Sequence, residues 1–254
     1  MQLQDKVAII TGAGDLEGIG AAIAQRYAKE GAKLVIADIQ DGEAVVNTIK
    51  AQGGEAIFVK TDVTSQESCS ALAKACIENF GRIDILVNNA AMFKNIKGQA
   101  FTEVTSEEWN AVMNVNSAGP FNCIKAVSPM MLEQQGGKII NLSSSTIYEG
   151  SPFMPHYVAS KGAVMALTRS MARSLGGGNI TINTLAPGFT QTAAGKEIEA
   201  RSGLPVAEML KPMRCLQKTP TPEDLAGPAV FLASDDSNFM TGQLLLCDGG
   251  INFN

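Results

Sequence analysis

Tyr157 and Lys161 stand four residues apart in the segment HYVASKGAV, a spacing that puts both on one face if the segment is helical. An ammonium beside a phenol favours the phenolate. Two unit charges about 4 to 5 Å apart, at an effective dielectric of about 20, interact by roughly 4 kcal/mol. That is worth about three pKa units on a phenol that starts at about 10, which brings the tyrosine into general acid/base range. His156, the neighbouring residue, is the only histidine in the chain. A multi-histidine metal site is thereby excluded, no metal is implied, and a Ser-His-Asp hydrolase hangs on that one residue. His156 points about 100° away from Tyr157 round a helix, so it either reaches a substrate or is a surface residue at a helix N-terminus.

Short β-branched runs recur along the chain at 7–11 (VAIIT), 33–38 (KLVIAD), 55–60 (EAIFVK), 84–89 (DILVNN), 138–143 (KIINLS), 180–186 (ITINTLA) and 244–247 (LLLC). Between them, the segments 18–30, 41–52, 65–80, 106–134, 155–175 and 222–234 carry apolar residues at helical spacing. Strand and helix in alternation predict parallel strands with right-handed crossovers and helices on both faces. The expected fold is α/β: one doubly wound Rossmann domain spanning 1–254, its seven-stranded, mainly parallel sheet ordered 3-2-1-4-5-6-7. No linker composition or repeat divides it. The least regular stretch, 187–215, is broken by Gly188, Gly195, Gly203, Pro205 and Pro212. It reads as a mobile lid over a ligand at the carboxyl ends of the strands, or else as an ordinary surface excursion.

The first strand runs into TGAGDLEGIG, where Gly12, Gly14, Gly18 and Gly20 lead into a helix starting near Ile19. Glycines let the backbone approach a pyrophosphate, and the helix N-terminus offers unpaired N–H groups to hold it. Tight strand-to-helix turns need glycine in any case, so the loop persuades only in context. The second strand ends on Asp38, a carboxylate placed to accept hydrogen bonds from adenosine ribose hydroxyls and to repel a 2′-phosphate. No Lys or Arg lies between Lys6 and Arg26, and Ile39 follows Asp38, so NAD is expected rather than NADP. Asp38 can instead be a solvated strand-end residue capping the next helix. Asp62, after the third strand, is a candidate for the adenine amino group or a plain turn aspartate.

TGAGDLEGIG, NNAA (88–91), Asn116 in MNVNSAG, Ser144 in NLSSSTIY, Tyr157-Val-Ala-Ser-Lys161, PGFTQT (187–192) and the closing DGG together resemble the short-chain dehydrogenase/reductase family over almost the whole chain. The resemblance implies a nicotinamide cofactor that carries the hydride. In that reading Tyr157 exchanges the proton with the substrate oxygen, Lys161 lowers its pKa and binds the nicotinamide ribose, Ser144 hydrogen-bonds the same oxygen, and Asn116 holds the water of a proton relay. The cofactor contacts it implies are Gly12, Gly18, Ile19, Gly20, Asp38, Asp62, Val63, Asn89, Ala90, Tyr157, Lys161, Pro187, Gly188, Thr190 and Thr192, with Thr192 on the carboxamide. Ser144 is one hydroxyl among Ser143, Ser145 and Thr146, and Asn116 can equally be a helix-interior amide bonded to backbone.

Most family members place three residues between the first two motif glycines, whereas Gly12 and Gly18 enclose five. That spacing resembles the family's enoyl-reductase branch, but the branch separates tyrosine from lysine by six residues, where Val164 stands here. Ala91 replaces the usual glycine of NNAG. Phe93, Ser144, Tyr148, Phe153, Met154, Met209 and Met213 are the expected substrate contacts. Being mostly apolar, they suggest a small secondary alcohol or its ketone. The segment FLASDDSNFMTGQ resembles NAD-dependent secondary-alcohol dehydrogenases and also 3-oxoacyl-carrier-protein reductases. A redox-inactive dinucleotide sensor on the same fold is the remaining alternative.

The chain has 254 residues, 45% hydrophobic and 18% charged, enough apolar material for a continuous core. A net charge of -5 opposes nucleic acid and anionic membranes as partners. Cys69, Cys76, Cys123, Cys215 and Cys247 are odd in number and contain no C-x-x-C pair, so they read as reduced thiols. No export signal or membrane-spanning run is visible, so a cytoplasmic location is expected. Family likeness suggests a homotetramer or homodimer built through the helices after strands four and five.

Overall fold

A computed structural model describes residues 1–253. Its strands are β1 (Val7–Thr11), β2 (Lys33–Asp38), β3 (Ala56–Lys60), β4 (Ile85–Asn88), β5 (Gly137–Leu142), β6 (Ile180–Pro187) and β7 (Leu244–Cys247). They form one sheet in the order β3-β2-β1-β4-β5-β6-β7, and every pairing is parallel. The chain reverses direction of travel across the sheet between β1 and β4, which opens a crevice at their carboxyl ends.

Side chains alternate across a strand, and the two faces carry separate cores. Ile10, Ile36, Val87, Ile140 and Leu185 face α1 (Ile19–Lys29), α2 (Glu43–Ala51) and, from later in the chain, the helix Pro222–Ala233. Ile9, Val35, Leu86, Ile139 and Ile182 face α3 (Gln66–Phe80) and two later helices. Central strands buried on both faces read as continuous apolar runs. The edge strands β3 and β7 are less buried.

The segment 106–134, expected as one helix, is three pieces. After α4 (Ser106–Met113), started by a capping box between Thr105 and Glu108, comes a π-helical turn at Asn114–Ala118, then α5 (Gly119–Glu133). Pro120 has no N–H to give the Asn116 carbonyl, so a continuous α-helix cannot close there. Next come α6 (Thr146–Glu149) and α7 (Pro155–Leu175), whose first two turns carry Tyr157 and Lys161.

Residues 187–215, expected to be irregular, are largely helical, with α8 (Ala193–Ser202), α9 (Val206–Leu210) and a 3-10 turn at Lys211–Met213. The run KEIEARS favours helix, Thr192 caps it by accepting from Gly195 N, and Gly203 ends it at φ +70°. The last helix, α10 (Pro222–Ala233), is started by a Thr221–Asp224 capping box. Among the described residues no helix is long and apolar enough to cross a membrane.

Candidate functional site

A cavity of about 590 Å³ crosses the carboxyl ends of the central strands, walled by the glycine loop, Asp38, the loop after β4, the start of α7 and the entry to α8. Gly12 sits at φ +64°, where a Cβ would stand 2.5 Å from the Ala90 Cα. Only glycine lets β1 turn this close to the β4 loop. Thr11 Oγ1 accepts from Asn89 N and Ala90 N at 3.1 Å each. Asn89 Nδ2 donates to Thr11 O at 3.0 Å and Gly12 O at 2.7 Å, so the Asn89 amide is spent on fastening the loop. Gly12, Gly18, Ile19, Asn89 and Ala90 all line the cavity. Gly20 does not. A Cβ there would meet Asn89 Nδ2 at 2.6 Å and Gly12 O at 2.7 Å, so its glycine is demanded by the packing of α1 under the loop.

Asp38 Oδ2 accepts from Gly14 N and Oδ1 from Gln40 N, both at 2.9 Å. The carboxylate thus braces the lengthened glycine loop, and it does not cap α2, whose N-cap is Gly42. Ile39 and Gln40 flank it on the cavity wall, and although Lys60 is in register with it on β3, Asp38 forms no ion pair among the described residues. Asp62 Oδ1 accepts from both the backbone N–H and the hydroxyl of Thr64, at 2.9 and 2.8 Å. It is a turn aspartate that also lines the cavity, next to Val63.

At the other end, β5 and α7 are bolted together. Lys161 Nζ donates to Leu142 O and Ser143 Oγ to Lys161 O, each at 2.8 Å. Behind them a polar network, Asn88 to Asn141 to Thr168 to Thr184, links β4, β5, α7 and β6 through bonds of 2.8 and 2.9 Å. The strand residues are in register, Asn88 with Asn141 and Asn141 with Thr184. Sequence reasoning missed this network. Its signal was Asn88, Asn141 and Thr184, polar residues in strand runs that the sheet buries.

The Tyr157 ring is buried against Phe93 with centroids 5.0 Å apart. Of the four clustered hydroxyls, Ser143 is bonded to the Lys161 carbonyl, Ser145 donates to Glu149 at 2.6 Å, and Thr146 Oγ1 has no partner. Ser144, whose Oγ accepts from Thr146 N at 3.3 Å, is the one near enough to the phenol to favour its ionisation. The expectation that Lys161 pulls the phenol down by about three units does not hold for the chain by itself. Burial pushes the Tyr157 phenol up to about 12, with only Ser144 opposing, and burial pushes the Lys161 ammonium down to about 8. Low dielectric penalises the charge on either group, and that cost exceeds their mutual attraction.

Asn116 is buried, and its amide is fully engaged: Oδ1 accepts from Met92 N at 2.6 Å, and Nδ2 donates to Met92 O at 3.2 Å and Ser160 Oγ at 3.1 Å. Its side chain is a backbone clamp, which leaves only its carbonyl for a water.

Pro187 and Thr192 line the cavity. Gly188 packs instead on Asp248, and Thr190 turns inward to donate to Gly188 O at 2.8 Å. Among the expected substrate contacts, Phe93 lines the cavity, and Met154 packs with it in an apolar cluster around Tyr157. Tyr148, Phe153, Met209 and Met213 are 39%, 60%, 55% and 61% exposed and outside the cavity wall. Lys94 and Asn95, which were not expected, stand in the wall. His156 is buried rather than on the surface and lies off the cavity wall, its Nδ1 without a partner; burial lowers its pKa and Glu108 opposes.

A doubly wound parallel sheet with a glycine turn, a strand-end carboxylate and a tyrosine–lysine pair at one crevice defines a dinucleotide-binding oxidoreductase. The chain belongs to the short-chain dehydrogenase/reductase family. A family model described as enoyl-(acyl carrier protein) reductase matches residues 12–252. The chain is 40% identical over 260 residues to a galactitol 2-dehydrogenase of Agrobacterium fabrum, covering 98% of each. It is 37% identical over 253 residues to a 3-oxoacyl-[acyl-carrier-protein] reductase of Synechocystis sp., again with 98% of each covered. An oxidoreductase of Thermotoga maritima is 36% identical over 252 residues, with 98% of this chain and 96% of that one covered.

Proposed function

We propose that the protein is an NAD-dependent dehydrogenase that interconverts a small, largely apolar secondary alcohol and its ketone. The observation that carries this reading is the buried Tyr157 phenol and Lys161 at one end of the cavity with the Asp38 carboxylate at the other. The cradle fits a dinucleotide: Gly12 brings backbone to the cavity wall without a Cβ, and the N-terminus of α1 faces the same space through Gly18 and Ile19. Nicotinamide, when bound, would give the hydride to the ketone carbon or take it from the alcohol carbon.

The chain then has one proton to manage. Tyr157 passes it to or from the substrate oxygen, and Ser144 holds that oxygen by a hydrogen bond. Lys161 would hold the nicotinamide ribose hydroxyls, and it sets a positive charge near the phenol. Asn116 contributes its carbonyl to a water chain. Asp38 would receive the adenosine ribose hydroxyls through lone pairs not used by Gly14 and Gln40, Asp62 and Val63 would hold the adenine, and Thr192 would hold the carboxamide. Cytoplasmic residence and assembly into a homotetramer or homodimer belong to the same reading.

The similarity to a 3-oxoacyl-[acyl-carrier-protein] reductase favours a second reading, reduction of a 3-oxoacyl thioester. A panel of secondary alcohols, ketones and a 3-oxoacyl thioester, run with NAD(H) and NADP(H) in parallel and followed by reduced-cofactor absorbance, separates the two. NAD-linked alcohol turnover supports the first. Turnover confined to the thioester with NADPH overturns it, and dinucleotide binding without any turnover points to a sensor.

A further inference from the structure

Helix α8 is tied to both lips of the cavity by charge. Lys196 Nζ meets Glu17 Oε2 at 2.6 Å, and Glu197 Oε2 meets Lys94 Nζ at 2.8 Å. Arg201 adds Nη1 to Lys94 O at 2.8 Å and Nη2 to Ile96 O at 2.6 Å. Glu17 lies in the extra length of the glycine loop, while Lys94 and Ala194, the latter in the first turn of α8, both line the cavity. The helix therefore bridges the glycine loop and the β4 loop. Its own apolar packing is slight: Gly195 is its only buried residue. Charge, rather than a hydrophobic face, holds it down.

We propose that the Glu17–Lys196 and Lys94–Glu197 pairs form an electrostatic latch that seats α8 over the bound dinucleotide and slows its release, an inference that rests on the dinucleotide reading above. The paired side chains are between 46% and 59% exposed, so salt screens them and release quickens as ionic strength rises. The lengthened glycine loop then serves a second purpose besides meeting a pyrophosphate. It reaches out to the far lip.

Two measurements on Glu17→Gln, Lys196→Gln and the charge-swapped Glu17→Lys/Lys196→Glu protein test this. In the ligand-free protein, hydrogen exchange of the α8 backbone amides is expected to quicken about three- to fivefold in each single variant and to return towards wild type in the swap. In stopped-flow displacement of NADH, release is expected to quicken about as much, to lose much of its salt dependence in the single variants, and to recover in the swap. Unchanged α8 exchange in the single variants overturns the latch whether or not NADH binds. Exchange that responds while NADH release does not overturns its role in release. Wild-type protein that fails to bind NADH overturns the dinucleotide reading and the release role with it, while the exchange result still reports on the clasp.

Discussion

Lys161 Nζ lies 5.7 Å from the centroid of the Tyr157 ring and gives an N–H to the Leu142 carbonyl at 2.8 Å. The ammonium is thus held between the end of β5 and the phenol, buried and without a carboxylate. The pair is arranged for proton management and not for stability, since a buried charge without a counter-ion costs free energy.

Tyr157→Phe removes the hydroxyl and keeps the ring that packs on Phe93. Turnover is expected to fall by about a thousandfold or more, while NADH affinity stays within about twofold of wild type. Steady-state rates beside an NADH fluorescence titration check it. Unchanged turnover would remove Tyr157 from the chemistry.

Lys161 and Tyr157 act on stability in opposite pH windows. The folded value of Lys161, about 8, lies below the ordinary 10.5, so between these the unfolded chain binds the extra proton and stability rises with pH. Tyr157, at about 12 against an ordinary 10.0, keeps a proton the unfolded chain has lost, and stability falls from pH 10 to 12. Lys161→Met is therefore expected to be more stable than wild type at pH 7 by roughly 2 kcal/mol, after allowing for the lost bond to Leu142. The gap should narrow by pH 10. Urea denaturation at both pH values measures it, and a less stable variant at pH 7 contradicts the burial cost.

Asp38 holds Gly14 and Gln40 and faces the cavity. Asp38→Ala combined with Ile39→Arg should invert the preference from NAD to NADP, with kcat/KM for NAD falling about a hundredfold. Kinetics with both cofactors decide the point. Wild type that prefers NADP refutes the role given to Asp38.

Gly12→Ala places a Cβ 2.5 Å from the Ala90 Cα at φ +64°. The left-handed conformation alone costs about 1 kcal/mol or more, and the clash must also push the β1 and β4 ends apart. A loss of at least about 2 kcal/mol in urea unfolding is expected, together with lost NADH binding. Gly14→Ala meets Asp41 and Asp38 atoms only at 3.0 and 3.1 Å, respectively, so a milder effect is expected there.

Thr168→Val keeps the shape of the side chain and removes the hydroxyl that joins Asn141 and Thr184. A buried donor left unpaired costs about 1–3 kcal/mol. Because Thr168 lies two turns along α7 from Lys161, a fall in kcat is expected alongside the loss of stability. A stability loss with kcat intact would show the network to be scaffold alone.

Local pattern alone determined the strands, the glycine turn and the Tyr157–Lys161 face. Each is a short-range periodicity or a steric demand that survives without its surroundings. The break in 106–134 is also written locally, in Pro120, although the apolar spacing continues through it. The tertiary structure decided everything that depends on what else is near. It put Ser144, among four hydroxyls, within range of the phenol, spent the Asn116 amide on Met92, and left Tyr148, Phe153, Met209 and Met213 outside the cavity. It reversed the expected pKa balance, because desolvation is set by packing that spacing cannot reveal. It also joined Glu17 to Lys196 across 179 residues of chain, a contact made by the fold bringing the glycine loop and α8 to the same crevice.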